Sequence, residues 1–282
     1  MKGFNKILLP LLLPLLLNSN ASIAAQPEPS TQEKIQNQHG KLVWADLYTG
    51  NVNASLKFYQ NTFGWTVKAF AKDNAKYHIL YDNGQAIAGV LARDSKRNKT
   101  DSALWVGSID TDNVESRSEL SAKNNATIIL PPHEFKLYGK RAVLADPQGA
   151  IIALLELDLT NKNHQKISTK WDWAQLFSTN TQKAALFYQD AFDYTIEPLN
   201  TNKDSFFLIQ SESVQASIVN LPESFEQRDR WVNFIEVNNI TAVLSKATTH
   251  GATIIYHAKD KGLAIISDPH GAFIGLTEQE SE

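Results

Sequence analysis

The side chains of this sequence that could act as acids, bases or metal ligands are few and widely spaced. The chain contains no cysteine, and its seven histidines are His39, His78, His133, His164, His250, His257 and His270. None of them forms the His-x-x-x-His spacing that places two metal ligands on one face of a helix. No nucleophile elbow, phosphate-binding glycine loop or Ser/His/Asp pattern occurs either. The motifs therefore assign no catalytic residue.

The strongest pattern in the chain is an internal repeat. The stretch WADLYTGNVNASLKFYQNTFGWT at 44–66 recurs without a gap as WAQLFSTNTQKAALFYQDAFDYT at 173–195. Further along, Ala-Thr-Ile-Ile at 126–129 recurs at 252–255, and Asp-Pro-Gln-Gly-Ala at 146–150 recurs as Asp-Pro-His-Gly-Ala at 268–272. A repeat of this length indicates a tandem duplication of a whole domain.

Each half of the duplication divides into two units with the order strand, helix and three strands. Residues 42–49 predict the first strand, and the first helix begins at the N-cap Asn51 and ends at Gly64. In the next unit, Asp112 and Glu115 are predicted to form a capping pair. We therefore predict an α+β fold with a signal peptide at 1–25, a disordered tether at 26–40, domains at 41–158 and 171–278, and a linker at 159–170.

The first 25 residues have the three parts of a secretory signal peptide. Lys2 and Lys6 precede an apolar run at 7–17, and small residues follow it, with cleavage expected after Ala24 or Ala25. We therefore expect an exported protein, periplasmic or secreted, that does not bind the membrane after cleavage; an uncleaved anchor is the alternative. The full chain has 27 basic and 30 acidic residues, and the mature chain, without these two lysines, has 25 basic and 30 acidic residues. The mature chain is therefore mildly acidic, which argues against nucleic acid as a partner.

The repeated motifs resemble the vicinal-oxygen-chelate superfamily, which includes glyoxalase I, bleomycin-resistance proteins and extradiol dioxygenases. The resemblance rests on the Trp44 strand with Phe-Tyr at 58–59 and Phe-Gly-Trp at 63–65, and on the run GKRAVLADPQGA at 139–150. More narrowly, the chain resembles the tandem-domain branch represented by a secreted mycobacterial antigen. The resemblance implies that each domain forms a curved half-barrel sheet with helices on the outside and a cleft inside.

The resemblance also implies positions for the ligands of a divalent metal in the cleft, and this sequence departs from the family there. The first-strand position falls on Trp44 and Trp173, the corresponding position of the following unit on Val106 and Val232, and the last-strand position on Ala153 and Gly275. Indole, isopropyl and methyl groups do not coordinate such ions. We therefore predict no metal and no cofactor in either domain.

The same frame places one face of each domain's first strand in the cleft, beside a strand of the adjoining unit, and puts the loop after each Ala-Thr-Ile-Ile strand at the border of the cleft. These segments give a set of candidate ligand-binding residues. They are Trp44, Asp46, Tyr48, Asp110 and His133 in the first domain, and Trp173, Gln175, Phe177, Glu236 and His257 in the second. An aromatic groove with a few polar groups is typical of a small-molecule pocket, although the same aromatic residues could simply fill the half-barrel. Asp46 together with Asp110 could also serve as a metal-free general base.

Three functions remain open on the sequence. The leading one is binding of a small aromatic or amphipathic molecule without transforming it, and the second is a lyase, isomerase or dioxygenase of the glyoxalase type with unidentified metal ligands. The third is a protein-interaction module. A monomer is compatible with each, because the duplication already supplies the pairing that single-domain relatives obtain by dimerising.

Overall fold

A computed structural model describes residues 39–70, 77–93, 103–158, 170–199, 204–210, 213–223, 225 and 228–279. The predicted signal peptide, residues 26–38 of the tether, residues 159–169 of the linker and His164 lie outside these ranges. Within the described residues, no helix is long and apolar enough to cross a membrane.

The first half of the chain forms an eight-stranded sheet with two helices. In chain order its elements are β1 (Leu42–Thr49), α1 (Val52–Phe63), β2 (Thr66–Phe70), β3 (Tyr77–Asp82), β4 (Gln85–Ala92), β5 (Leu104–Asp110), α2 (Val114–Lys123), β6 (Thr127–Phe135), β7 (Gly139–Ala145) and β8 (Ile151–Leu157). The strand order is β2-β3-β4-β1-β5-β8-β7-β6, so the two βαβββ units meet where β1 pairs antiparallel with β5. Among the described residues, β2 and β6 each pair with one neighbour only, so the sheet is an open half-barrel rather than a closed barrel.

The second half repeats this plan. Its elements are β9 (Trp171–Ser178), α3 (Thr181–Phe192), β10 (Thr195–Pro198), β11 (Phe206–Gln210), β12 (Ser213–Asn220), β13 (Arg230–Val237), α4 (Ile240–Thr249), β14 (Thr253–Ala258), a 3-10 turn (Lys259–Lys261), β15 (Leu263–Ser267) and β16 (Phe273–Glu278). The order β10-β11-β12-β9-β13-β16-β15-β14 matches the first sheet strand for strand. The predicted α+β architecture of two tandem half-barrels is confirmed.

An asparagine caps the N-terminus of each of these four helices. The Asn51 side chain accepts the Ala54 N–H at 3.1 Å, as predicted, and Gly64 ends α1 with a positive φ of 78°. The predicted capping pair of Asp112 and Glu115 is wrong, because Asn113 is the cap of α2 and accepts the Ser116 N–H at 2.7 Å. The Glu115 carboxylate instead accepts a hydrogen bond from Lys140 Nζ at 2.9 Å.

Strand β6 contains two consecutive prolines, Pro131 and Pro132. It continues through both prolines to Phe135. This is possible because β6 is the edge strand of its sheet, where a missing N–H interrupts no ladder on the outer side.

The helix-bearing faces of the two sheets face each other, and the helices pack in pairs across the boundary between the domains. Helix α1 packs on α4, and α2 packs on α3, while β1 contacts β9 and β5 contacts β13. One apolar cluster joins Leu47 and Leu56 of the first domain to Ile235 and Leu244 of the second. Any cleft of either domain must therefore lie on the opposite, concave face of its sheet.

Candidate functional site

A buried ion pair occupies the concave face of the first sheet. Strand alternation turns Ala45 and Leu47 toward the helices and turns Trp44, Asp46 and Tyr48 the other way. Asp46 on β1 forms a salt bridge with Arg141 on β7, and their side chains are 0% and 4% exposed. Charges this deeply buried are stable only when they are paired and hydrogen-bonded.

Two aromatic side chains complete the hydrogen bonding around Asp46. The Tyr77 hydroxyl donates to Asp46 Oδ1 at 2.6 Å, and the Trp44 indole N–H lies 3.3 Å from the same oxygen and 3.2 Å from the Tyr77 hydroxyl oxygen. Gly89 on β4 allows this approach, because a Cβ atom there would overlap the Tyr77 hydroxyl and Asp46 Oδ1. The carboxylate is thus held from three sides.

The charges of this cluster follow from burial and from its own members. Burial raises the pKa of Tyr77 well above its usual range, and the neighbouring Asp46 charge raises it further. Burial also raises the pKa of Tyr48. Burial alone would lower the pKa of Arg141, but Asp46 and the two tyrosines raise it overall. The cleft therefore contains the salt bridge of Asp46 and Arg141 with neutral phenols around it.

Arg141 retains hydrogen-bonding capacity that the described residues leave unused. Its Nη1 faces Asp46, and the Tyr48 hydroxyl lies close to the guanidinium, whereas Nε and Nη2 are buried and form no hydrogen bond of ordinary geometry within the described part of the chain. A buried guanidinium donor without a partner costs about 1–3 kcal/mol or more. Both nitrogens are covered by the surrounding side chains, so a ligand oxygen would reach them only where the aromatic cover moves aside.

The turn between β6 and β7 supplies an aromatic cover for the cluster. Tyr138 is buried against Trp44, with ring centroids 4.8 Å apart, and Phe135 lies 6.0 Å from both Tyr138 and Tyr77. Phe135, Tyr77 and Tyr48 are each partly exposed. The accessible rim of the cleft is therefore made of aromatic rings, two of which carry hydroxyl groups.

The concave face of the second sheet has a different content. Its centre is an apolar cluster that includes Trp173, Phe177, Phe225 and Phe234. The Phe177 and Phe225 rings are 4.8 Å apart, and the Phe234 ring covers Gly275 so closely that a Cβ atom there would overlap it. Here the aromatic side chains fill the half-barrel as core, which was the alternative left open by the sequence.

The comparisons with known proteins agree with this architecture. Residues 41–154 match the Glyoxalase/Bleomycin resistance protein/Dioxygenase superfamily. The chain carries a domain of this superfamily. The repeated sequence and the matching sheet show that it carries a second, glyoxalase-like domain in tandem.

Relatives of similar length exist at low identity. "Putative glyoxylase CFP32" of Mycobacterium tuberculosis is 21% identical over 246 residues, which cover 83% of this chain and 92% of the relative. "Anthracycline biosynthesis protein DnrV" of Streptomyces peucetius is 23% identical over 259 residues, which cover 85% of this chain and 93% of the relative.

Solved structures support the fold. The 2,3-dioxygenase LapB from Pseudomonas sp. KL28 aligns with a TM-score of 0.57 at 14% identity, covering 86% of this chain and 94% of that protein. The Mn(II)-bound glyoxalase from Novosphingobium aromaticivorans aligns with a TM-score of 0.56 at 12% identity, and the alignment covers 87% of this chain and 84% of that protein. At these identities the likeness extends to the fold alone.

The positions that the superfamily resemblance assigns to metal ligands do not fit a metal in this chain. In the glyoxalase-superfamily domain at 41–154, Trp44 lies against Tyr138, and Val106 and Ala153 belong to one apolar cluster. In the second domain, Phe234 covers Gly275. Among the described residues, no three histidine, aspartate or glutamate side chains converge as a metal site. The donor set at these positions lacks the oxygen and nitrogen ligands that divalent ions require.

Asp46 and Asp110, the proposed general-base pair, are not brought together. Asp46 lies opposite Val106 on β5, four residues from Asp110, which corresponds to about 13 Å along a strand. The Asp110 carboxylate instead lies 3.0 Å from His39 Nδ1, and burial raises the pKa of Asp110 to about 7 although His39 lowers it. His39 therefore contacts the domain at the end of the predicted tether.

The other candidate residues are spread over the two domains. His133 and His257 lie on the edge strands β6 and β14 rather than in loops, opposite Arg141 and Ala264 respectively. The His133 ring lies 2.9 Å from the Pro131 carbonyl oxygen, and His257 is exposed. In the second domain, Gln175 is buried next to Val232, and Glu236 is partly exposed near the end of β13.

Sequence reasoning missed Arg141 and Tyr77, although a signal for Arg141 was present. Aligning the two Asp-Pro-x-Gly motifs places Leu263 at the position of Arg141, and aligning the first strands places Gln175 at that of Asp46. Both charges are thus replaced together in the second domain, which indicates that they form a pair. No comparable pattern identified Tyr77.

Proposed function

We propose that this protein is an exported, metal-independent binding protein that holds a small aromatic or amphipathic molecule in the cleft of its first domain. The observation that carries the proposal is the buried pair of Asp46 and Arg141 beneath an aromatic rim, with two guanidinium nitrogens of Arg141 that form no hydrogen bond of ordinary geometry in the described part of the chain. Such a site combines an apolar lining with a few fixed polar groups, as small-molecule pockets do.

The two parts of the cleft would contribute differently to binding. The rings of Phe135, Tyr77 and Tyr48 would stack on the ligand, and aromatic pairs of this kind contribute about 0.5–1.5 kcal/mol beyond area burial. Arg141 would donate to a ligand oxygen and fix its orientation, since hydrogen bonds from a charged donor are the stronger ones. The relative DnrV is named an anthracycline biosynthesis protein, and that name supports the choice of an aromatic molecule as the proposed ligand.

Calorimetric titration of the mature protein with a panel of planar aromatic and quinone metabolites tests the proposal. We expect saturable binding with one site per chain, at least tenfold weakened in a double variant carrying Asp46→Gln and Arg141→Leu, the pair found in the second domain. Tyr256→Phe on β14 is a matched control at the other sheet and should leave affinity unchanged. Equal affinity in the double variant would refute the cleft as the site, and no saturable binding by any compound would favour a protein-interaction module.

The metal-dependent enzyme is the second candidate, because the aligned solved structures include a Mn(II)-bound glyoxalase. Elemental analysis of the purified, dialysed protein separates it from the first. One equivalent of a transition metal that survives dialysis would overturn metal independence, whereas substoichiometric metal combined with ligand binding supports it.

Export is tested separately from ligand binding. N-terminal sequencing of the protein expressed with residues 1–25 in a bacterial host should show a mature chain beginning at Ala25 or Gln26, recovered in the periplasmic or culture fraction. An intact N-terminus in the cytoplasmic fraction would contradict export.

A further inference from the structure

The last three residues before β1, at 39–41, lie at the junction of the two domains. The Gly40 N–H donates to the Asp110 carbonyl oxygen at 3.0 Å, and the Asp110 N–H donates to the Lys41 carbonyl oxygen at 2.9 Å, which ties the segment to the first domain. The Tyr194 hydroxyl of the second domain donates to the Gly40 carbonyl oxygen at 2.6 Å. This segment, the N-terminal clasp, therefore joins both domains.

The close contact of the clasp with the second domain requires a glycine. Gly40 has a φ of +81°, and a Cβ atom there would overlap the Gln210 side-chain oxygen and crowd the Tyr194 ring. A cavity of about 160 Å³ lies beside this contact, and residues of both domains line it, including Asp110 and Asp193. The clasp is thus packed closely at Gly40 and borders a small cavity.

Asp110 supplies a titratable group directly beneath the clasp. Its side chain is 3% exposed, and its carboxylate lies 3.0 Å from Nδ1 of His39, the first residue of the clasp. Burial raises the pKa of Asp110 to about 7, the adjacent His39 lowers it, and the nearby carboxylates of Asp112 and Glu156 raise it. A buried carboxyl group in these surroundings needs either its own proton or a charged imidazole beside it.

The other charged groups around the cavity are engaged elsewhere. Arg117 of α2 forms salt bridges with Asp193 at 2.7 Å and with Asp112 at 3.9 Å, and both of these carboxylates are exposed. Glu156 accepts the backbone N–H of the first residue of α2 at 3.0 Å. Burial raises the pKa of Tyr194 well above its usual range, so this hydroxyl stays a neutral donor. The protons on Asp110 and His39 therefore decide the charge balance of the clasp.

We propose that the N-terminal clasp is a pH-sensitive fastening between the domains, closed while Asp110 and His39 share at least one proton and released when both are deprotonated. In the deprotonated state, a buried Asp110 carboxylate would face Asp112 and Glu156 beside a neutral imidazole. Lifting the clasp would then admit water to the carboxylate and lower its free energy. Release would also break the bond from Tyr194, which is a contact of the clasp with the second domain.

The direction of the pH dependence follows from the proton on Asp110. Because the closed clasp raises the pKa of this carboxyl group, it holds the proton more tightly than a solvated carboxyl group would. Closure is therefore most favourable in acid and loses this stabilisation as the pH rises through about 7. The fastening does not involve the cleft around Asp46 and does not depend on a ligand there.

Solvent exchange of the Gly40 N–H, measured by NMR on the mature protein labelled with ¹⁵N-glycine, tests the proposal. After correction for base catalysis of exchange, we expect the protection of Gly40 to fall at least tenfold between pH 5 and pH 8. The Gly64 N–H, which donates to the Gln60 carbonyl oxygen at 2.9 Å at the end of α1, is the control and should keep its protection. No change at Gly40, or an equal change at Gly64, would overturn the proposal.

Variants assign the response to the clasp. Asp110→Asn carries an amide in place of the protonated carboxyl group, so Gly40 should keep its pH 5 protection up to pH 8. Asp112→Asn removes an exposed neighbouring carboxylate and should leave a fall of at least tenfold in place. Tyr194→Phe should lower the protection of Gly40 at every pH, because the clasp loses its bond to the second domain. Thermal unfolding confirms that each variant is folded. If folded Asp110→Asn retained the wild-type pH dependence, or Tyr194→Phe the wild-type protection, the clasp would not be the pH-sensitive fastening.

Discussion

The Tyr59 hydroxyl of the first domain donates a hydrogen bond to Asp268 Oδ2 of the second domain at 2.9 Å. The reciprocal bond joins Tyr188 of the second domain to Asp146 of the first at 3.1 Å. Each tyrosine hydroxyl also accepts an indole N–H, from Trp105 at 2.7 Å and from Trp231 at 2.8 Å. The duplication therefore produced two equivalent polar bridges across the buried domain interface.

These bridges connect the two motifs by which the repeat is recognised. Asp268 Oδ1 accepts the backbone N–H groups of His270 and Ala272, which shapes the Asp-Pro-x-Gly turn, and Oδ2 remains for Tyr59. Asp146 has the same arrangement with Gln148 and Ala150. Each of these aspartates thus forms hydrogen bonds both within its own hairpin turn and to a tyrosine of the other domain.

We predict that Tyr59→Phe and Tyr188→Phe each lower the free energy of unfolding by about 1–3 kcal/mol, because a buried indole N–H and a buried carboxylate oxygen each lose a partner. Urea unfolding of the mature protein measures this. Tyr256→Phe, at a partly exposed position, is the control and should change stability by less than about 0.5 kcal/mol. Wild-type stability in both interface variants would mean that the bridges contribute nothing.

The interface aspartates also predict a dependence of stability on pH. Burial raises the pKa of Asp146 to about 6, although its hydrogen bonds lower it, and burial likewise raises the pKa of Asp268. The folded protein holds the proton of each carboxyl group more tightly than the unfolded chain does. Protonation of these aspartates therefore stabilises the fold, fully below about pH 4, and this stabilisation is lost as the pH rises through about 6. For Asp146 it is on the order of 3 kcal/mol.

Unfolding free energies measured from pH 4 to pH 7.5 check this prediction. The Asp146→Asn variant should have a shallower decline than the wild type, since the amide does not titrate. Parallel pH profiles for the two proteins would contradict a raised pKa at Asp146.

The fold was predictable from the sequence because its signals are local and occur twice. The repeat, the alternating strands and the cap at Asn51 each depend on residues close together in the chain. The Tyr59 bridge joins residues 209 positions apart, and no local pattern specifies which helix faces which domain. The same limit applies to the cleft, where Asp46 was found from its strand but its partners Tyr77 and Arg141 come from β3 and β7.

Gly89 predicts a steric test of the cleft. Because a Cβ atom at Gly89 would overlap the Tyr77 hydroxyl and Asp46 Oδ1, Gly89→Ala should cost about 1–3 kcal/mol and weaken binding of any cleft ligand. Gly84 is the matched control, since its φ is +80° in open space and Gly84→Ala should cost only about 1 kcal/mol of backbone strain. The two variants are compared by thermal unfolding and by titration. Unchanged stability and unchanged affinity in Gly89→Ala would show that the packing around Asp46 is loose.

The last prediction concerns the ion pair itself, for which the second domain supplies the design. Arg141→Leu alone leaves the buried Asp46 charge without its partner and should cost about 3–5 kcal/mol of unfolding free energy. Adding Asp46→Gln removes that charge and recreates the pair at Gln175 and Leu263, so most of the loss should be recovered. A complete double-mutant cycle in urea measures the coupling between the two positions.

Lys140→Ala is the control for this cycle. Lys140 lies next to Arg141 but forms an exposed salt bridge with Glu115, which solvent screens, so Lys140→Ala should keep the urea midpoint of the wild type. If the losses from Arg141→Leu and Asp46→Gln simply added, the two charges would not act as a pair. If they couple as expected, the cleft depends on a charge pair whose counterparts in the second domain are the neutral side chains of Gln175 and Leu263. Retention of the pair in the first domain alone then supports a role in ligand binding rather than in folding.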